Sequence, residues 1–232
     1  MSTDHLRKVA GYYAAHYGDR SAVGLNKSAR IRSELIARWI GDGKRLLELG
    51  CGSGSLLEVY KASNRVTAMD IDRAALDACR ERLGVETVWG DFTTELPFAD
   101  ASFDVVVAGE TLEHMPYPSV FLGEIRRVLA PDGLFVGSVP NAYRYRIRIR
   151  VLLGQPIDTD PTHLQHFSVA SLRAVLTKHF RVEEIAPIRG KLSNHWPSLF
   201  AHYFAWRCRR SHTSLAGPSS DVPSPGRFRK RS

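Results

Sequence analysis

The chain has 232 residues, 44% of them hydrophobic, and a net charge of +8. That size and apolar content suit one folded domain with flanking segments; no apolar run nears the ~18 residues that cross a bilayer, and Cys51, Cys79 and Cys208 lack the C-x-x-C spacing of a disulfide framework or zinc site. The charge is unevenly placed: residues 205–232 hold seven Lys/Arg against Asp221, so they carry +6 of it and the rest is near neutral, which weighs against a catalytic body built to grip nucleic acid.

The segment Met1-Ser2-Thr3-Asp4-His5 has no signal-peptide core, so a cytoplasmic protein is expected. Residues 6–40 read as mostly helical, with Ile31, Leu35, Ile36 and Trp39 as an apolar stripe, and residues 1–40 are expected to form a helical cap over the mouth of a site. Strands are expected at 44–49, 65–70, 85–89, 103–108 and 134–139, separated by helices at 54–62, 73–83 and 120–129. The Val105-Val106-Val107 run suits a strand buried on both faces. Pro131-Asp132-Gly133 turns the chain into the fifth strand.

After residues 141–167, a long irregular insertion that would cap a substrate, Ser168 reads as the N-cap of a helix to 179. A sixth strand is expected at 181–187; residues 199–206 fit either a seventh strand or a helix. The body is therefore residues 41–204, and 205–232 read as a basic tail, rich in Pro, Ser and Gly, that cannot bury enough apolar surface to order itself. The β-α-β alternation gives the fold class: α/β, a Rossmann-like doubly wound, mostly parallel sheet of six to seven strands with helices on both faces.

Such sheets bind ligands beyond the carboxyl ends of their strands, where the strand order reverses. Gly50, Gly52 and Gly54 follow the first strand there, and glycine lets a backbone approach a ligand closely. The spacing is G-x-G-x-G, and Ser55 stands where the third glycine of a dinucleotide site would fall. Glu48 would repel a pyrophosphate but would receive the ammonium of a methionine moiety. Asp70 ends the second strand, where a carboxylate accepts both ribose hydroxyls. Asp91 and Phe92, past the third strand, suit the amine and face of an adenine. These features point to S-adenosylmethionine (SAM); Cys51, Ile71 and Glu110 complete the expected cofactor-binding set.

Residues 45–140 resemble the class I SAM-dependent methyltransferases. Glu48-Leu49-Gly50-Cys51-Gly52-Ser53-Gly54 is similar to that family's first motif, and Asp70 to its ribose-binding acid. Leu96-Pro97-Phe98-Ala99-Asp100-Ala101-Ser102-Phe103-Asp104 resembles the approach to its fourth strand, and Glu124-Ile125-Arg126-Arg127-Val128-Leu129-Ala130-Pro131-Asp132-Gly133 the helix and turn before its fifth, with Asp132 where glycine is common. The resemblance implies a methyltransferase.

Methyl transfer is an in-line displacement that needs alignment, and an oxygen nucleophile also needs a base. Two stretches supply candidates: Gly109-Glu110-Thr111-Leu112-Glu113-His114-Met115 and residues 158–168, with His163 and His166. His114 and His163 are the expected catalytic residues. The same residues resemble the quinone-biosynthesis O-methyltransferase branch and, more distantly, the small-RNA 3′-end methyltransferases. That resemblance implies a divalent metal held by Glu110, Glu113, His114 and His163.

Residues 143–153 alternate Arg144, Arg146, Arg148 and Arg150 with aromatic and aliphatic residues. As a strand they would put every arginine on one face; as a helix they would split them between two. A solvated cap edge, a membrane-surface element and a phosphate-binding strip for RNA or a phosphorylated substrate are the competing readings, and the basic tail would add to a membrane or RNA contact. The expected function is methyl transfer from SAM to an oxygen of a small molecule such as a phenol, quinone precursor, sugar or secondary metabolite. The alternatives are an RNA methyltransferase and a non-catalytic SAM-binding regulatory subunit.

Overall fold

The computed structural model describes residues 11, 27–52, 54–158 and 160–210. Helix α1 spans Lys27–Ile40, β1 Arg45–Leu49, α2 Leu57–Tyr60, β2 Arg65–Asp70, α3 Arg73–Leu83, β3 Glu86–Trp89, β4 Phe103–Gly109, α4 Pro118–Val128 and β5 Leu129–Pro140. Helices α5 Tyr145–Leu152 and α6 Val169–Leu176, strand β6 Phe180–Ile188, helix α7 Pro197–Phe200 and strand β7 Tyr203–Arg210 complete it. The strands form one seven-stranded sheet in the order β3-β2-β1-β4-β5-β7-β6. β1 to β5 pair in parallel, and β7 runs antiparallel to both β5 and β6. The order reverses between β1 and β4, as the doubly wound pattern requires.

Local chemistry sets the elements. Asp72 caps α3 by accepting from the Ala74 and Ala75 amides, and Gly84 ends it in the left-handed region at φ 64°. Asp132 also lies there, at φ 60°, which is why a glycine suits that position; a short polar residue tolerates it. Ser168 caps α6, as expected from the sequence, and Ser171 reciprocates to form a capping box; the helix ends at Leu176 and not at the expected 179. The segment expected as one helix over 54–62 is shorter, α2 followed by a 3-10 turn at Lys61–Ser63.

Two apolar layers cover the sheet. Leu47, Leu49, Val106 and Phe135 pack with Phe121, Leu122, Ile125 and Val128 of α4 and Leu172 and Leu176 of α6. On the other face Leu46, Val105, Val107 and Val136 pack with α1, α2 and α3 through Ile36, Leu57 and Leu76. The valine run of β4 is thus buried on both sides, as its composition predicts. Arg127 of α4 ties in the loop before β4: it donates to the Leu96 and Phe98 carbonyls and to Glu124 and Asp100. The two motifs that flank this loop in sequence are thereby in contact.

The expected tail from residue 205 is corrected in part. Residues 205–210 belong to β7, where Trp206 and Cys208 are buried and Arg207 and Arg209 both reach Glu183 of β6 at 3.2 Å. A shared carboxylate and two buried apolar neighbours draw this basic stretch into the sheet. The remaining tail and residues 1–10 and 12–26 of the expected cap lie outside the described residues.

Two positions in this core carry measurable consequences. A Cβ on Gly137 would collide with the Ala108 carbonyl and the Trp206 ring, so Gly137→Ala should cost about 1–3 kcal/mol in urea unfolding. Glu48 is 1% exposed and accepts from the Tyr60 hydroxyl, and burial pushes its carboxyl up to about 8. Its contribution to stability is whole below the unfolded-chain value of 4.5 and is lost as pH rises toward 8. Glu48→Gln should therefore melt above the wild type by a margin that widens from about pH 5 to about pH 8, since the amide has no proton to lose; a margin that stays flat with pH would contradict this.

Candidate active site

A cleft of about 840 Å³ opens at the carboxyl ends of β1, β2, β4 and β5. Its floor is the turn after β1. Gly50, Gly52 and Gly54 all adopt positive φ, at 72°, 48° and 75°. A Cβ on Gly50 would lie 2.8 Å from the Thr111 hydroxyl oxygen, and one on Gly54 2.6 Å from Leu83 and 2.8 Å from the Cys79 sulfur. Only glycine fits this path, and it brings bare backbone to the cleft.

Asp70 holds the turn. Its Oδ2 accepts from the Gly52 amide at 2.9 Å and its Oδ1 from the Asp72 amide at 3.0 Å. Burial raises its pKa, and these amides work against that rise. Ile71 follows on the cleft wall, its carbonyl accepting from Trp89 Nε1 at 2.9 Å, and Arg73 covers the Trp89 ring at 3.9 Å. Asp91 and Phe92 line the opposite wall; Asp91 caps its own loop through the Thr93 amide at 2.7 Å, and the Phe92 ring lies 6.0 Å from Phe121.

Of the expected cofactor set, Gly50, Gly52, Asp70, Ile71, Asp91, Phe92 and Glu110 line the cleft. Glu48, Cys51 and Gly54 do not. For Glu48 this corrects the expected ammonium contact: the side chain points into the core toward Tyr60. Cys51 and Gly54 shape the turn from behind, against α3.

The far half of the cleft collects the histidines. His114 ends the 3-10 turn Leu112–His114, and its Nδ1 lies 3.0 Å from the Thr162 carbonyl, to which it donates. Burial lowers its pKa, so the imidazole stays neutral below its ordinary range. His163 Nδ1 meets Asp158 Oδ2 at 2.6 Å, and the two imidazoles are 4.8 Å apart. The Leu164 and Gln165 amides donate to the Glu113 carbonyl at 2.9 and 2.8 Å, which stitches the two stretches together. His166 does not line the cleft.

Glu113 lies behind the histidines, 1% exposed, with no hydrogen-bond partner for either carboxylate oxygen among the described residues. Burial, and then Glu110 nearby, raises its pKa well above the usual carboxylate range. Donor atoms of Glu113, His114 and His163 lie within 4.8 Å of one another. Glu110 is outside that group: its carboxylate is held 2.8 Å from Arg32 Nη2, and its backbone is left-handed at φ 55°. Of the four implied metal ligands, three converge. A buried carboxylate whose oxygens lack partners among the described residues, close to two imidazoles, fits a divalent cation.

Sequence reasoning missed several residues of the site. Arg32 of α1, behind the cleft lining, is 6% exposed and stacks 5.4 Å from the Tyr203 ring while binding Glu110. Its neighbours Ile31 and Ser33 gave no sign that an arginine would point inward. Asn141, His202 and Tyr203 line the cleft, brought in because β7 returns beside β5. Asp158 was within reach, since an acid five residues before a histidine in one loop is a recurrent orienting pair.

A family model described as "Methyltransferase domain" matches residues 47–137. The chain is 34% identical over 144 residues to a probable S-adenosylmethionine-dependent methyltransferase of Mycolicibacterium smegmatis, covering 61% of this chain and 54% of that protein. It is 32% identical over 130 residues to a ubiquinone biosynthesis O-methyltransferase of Alkalilimnicola ehrlichii, covering 50% of this chain and 52% of that one. The chain thus spans about half the length of the curated relatives it matches. Its fold is that of a SAM-dependent methyltransferase of Aquifex aeolicus, with a TM-score of 0.60 at 15% identity over 91% of this chain and all of that one. The glycine turn bared to the cleft, the acid that pins it and the matched segment lead to one conclusion: residues 47–137 match a methyltransferase domain, carried on a Rossmann-like fold.

Proposed function

We propose that the protein transfers the methyl group of SAM to an oxygen of a small, largely apolar acceptor. The observation that carries this reading is the His163–Asp158 pair on the wall of the same cleft as the glycine turn, beside His114. The turn and Asp70 hold the nucleoside end, with Phe92 against the ring. The acceptor enters between His114, His163 and Tyr203, and the cleft aligns its oxygen with the methyl group. His163 takes the hydroxyl proton, and Asp158 orients the imidazole and stabilises the charge it acquires. The likeness to a ubiquinone biosynthesis O-methyltransferase supports an oxygen acceptor such as a phenol or quinone precursor.

Glu113 favours a second reading of the same wall. Its partnerless carboxylate, with His114 and His163, would hold Mg²⁺, Mn²⁺ or Zn²⁺. Such a cation supplies a Lewis acid that lowers the pKa of the acceptor hydroxyl.

The finer partner reading is a lipid–water surface. No helix is long and apolar enough to cross a membrane among the described residues. The insertion forms a helix, α5, with no buried residue. Ile147 faces the cleft, and Tyr145, Ile149 and Leu152 share an outward stripe that Leu153 continues; Leu152 is 85% and Leu153 72% exposed. At 100° per residue, Arg144 and Arg148 flank that stripe on one side and Arg146 and Arg150 on the other. Trp196, 58% exposed, extends the patch through Phe200, whose ring meets Tyr145 at 5.4 Å. An apolar stripe between cationic borders suits an anionic bilayer, from which a greasy acceptor would reach the cleft.

Three outcomes test this. His163→Ala and Asp158→Asn should each slow methylation of a phenolic acceptor at least about 100-fold while SAM affinity is kept; SAM binding without S-adenosylhomocysteine release across a broad acceptor panel would instead mark a non-catalytic binding subunit. Titrating chelator-treated protein with Mg²⁺, Mn²⁺ or Zn²⁺ should raise the melting temperature of the wild type and not of Glu113→Gln; a wild type that no cation shifts would remove the metal reading. Vesicles rich in phosphatidylglycerol should pellet the wild type and not Leu152→Glu. Salt-sensitive RNA binding with no vesicle binding would favour an RNA acceptor instead.

A further inference from the structure

Behind the cofactor turn lies a pair of thiols that methyl transfer does not use. Cys51 sits between Gly50 and Gly52, and Cys79 projects from α3. Their sulfurs are 3.9 Å apart, with Cys51 6% and Cys79 0% exposed. The Cys79 thiol also reaches the Gly52 carbonyl at 3.4 Å. The Gly52 residue is therefore gripped at both ends: its amide donates to Asp70 at 2.9 Å and its carbonyl accepts from Cys79. Both glycines beside Cys51 line the cleft, so any shift of the Cys51 side chain is felt where the cofactor rests.

The geometry points to a redox switch: Cys51 and Cys79 form a reversible disulfide that withdraws the glycine turn from the cofactor. A disulfide needs its sulfurs about 2.05 Å apart, so the pair must close by roughly half its present separation. The turn is the side that gives, since α3 is fixed by its Asp72 cap and by Lys61 Nζ on the Leu83 carbonyl at 3.0 Å. Cys51 beside it holds the Cys79 thiol below its ordinary range, and Arg82 adds to this; the Cys51 thiol is pushed up by the same contact. Of the two sulfurs, Cys79 is therefore the one more readily ionised when an oxidant arrives.

The oxidant is a hydroperoxide, with hydrogen peroxide as the simplest member. The thiolate attacks one peroxide oxygen, the O–O bond breaks, and the departing hydroxide takes a proton to become water. The sulfenic acid left on that cysteine is attacked by the second sulfur. The S–S bond forms, the S–O bond breaks, and the leaving hydroxide takes the second cysteine's proton as another water. Two thiols and one peroxide give one disulfide and two waters, and a dithiol reverses the change. In the disulfide the Cys79 sulfur has no hydrogen left for the Gly52 carbonyl, so the turn loses that restraint as it is pulled toward α3.

The test uses the full chain, hydrogen peroxide and S-adenosylhomocysteine, and needs no acceptor, so its result is independent of the proposed reaction. After peroxide treatment, a non-reducing peptide map should show the Cys51 and Cys79 peptides joined, with a loss of about 2 Da, and calorimetry should show the Kd for S-adenosylhomocysteine raised at least tenfold. Dithiothreitol should restore both. Cys79→Ser, whose hydroxyl can still donate to the Gly52 carbonyl, should bind like the reduced wild type and ignore peroxide; if the serine does not fold, Cys79→Ala is read only for an affinity that peroxide does not change. Cys208→Ser should respond as the wild type does. A map without the 51–79 link, oxidation that stops at separate sulfinic acids, or a link that leaves the affinity unchanged would each overturn the switch.

Discussion

The carboxylate of Asp70 is the constraint on which the cofactor half of the molecule depends. It ends β2, and its two oxygens take the amides of Gly52 and Asp72. One group therefore fixes the glycine turn after β1 and the start of α3 after β2. Burying a carboxylate is costly, and amide donors aimed at it are what make the burial tolerable. The turn, in turn, can pass this close only because Gly50 and Gly54 have no side chain to set against Thr111, Leu83 and Cys79. Strand ends, turn and helix are locked to one another before any ligand arrives.

The half of the cleft proposed to take the acceptor is built differently. It draws on α1 through Arg32, on the 3-10 turn after β4, on the loop around His163 and on Tyr203 at the start of β7. These segments are far apart in sequence and meet through polar contacts. The Glu113 carbonyl takes two amides from residues 164 and 165, and Asn141 donates to the Ser198 and Ala201 carbonyls at 3.1 and 3.0 Å. A wall assembled this way can change its lining through loop substitutions while the Asp70 assembly stays untouched, which is the usual division of labour in such sheets.

That division explains what could be read from the chain. The glycine spacing, Asp70, the valine run of β4 and the caps at Asp72 and Ser168 act over a few residues, so local pattern carries them. Glu48 was misread because its spacing from the turn suggests the cleft, whereas the alternation of β1 and the nearness of Tyr60 send it inward. Arg32, Glu110 and Tyr203 form one assembly across three distant segments, and no local pattern announces it. Residues 205–210 looked like the start of a basic tail because composition registers their arginines; the register against Glu183 that neutralises two of them exists only once β6 and β7 have paired.

The place of β7 in the sheet has a temporal meaning. β5 must leave one edge open until residues 203–210 arrive to pair with it, and among the described residues β6 has no neighbour in the sheet except β7. A chain emerging from the ribosome can close β1 to β5 and form the Asp70 assembly early, because every strand in those pairings precedes β6 and β7 in the chain. The acceptor wall, which needs Tyr203, is finished last. The nascent protein therefore acquires the geometry of the glycine turn before the opposite wall of the cleft exists, and the exposed edge of β5 is the surface that most needs shielding during that interval.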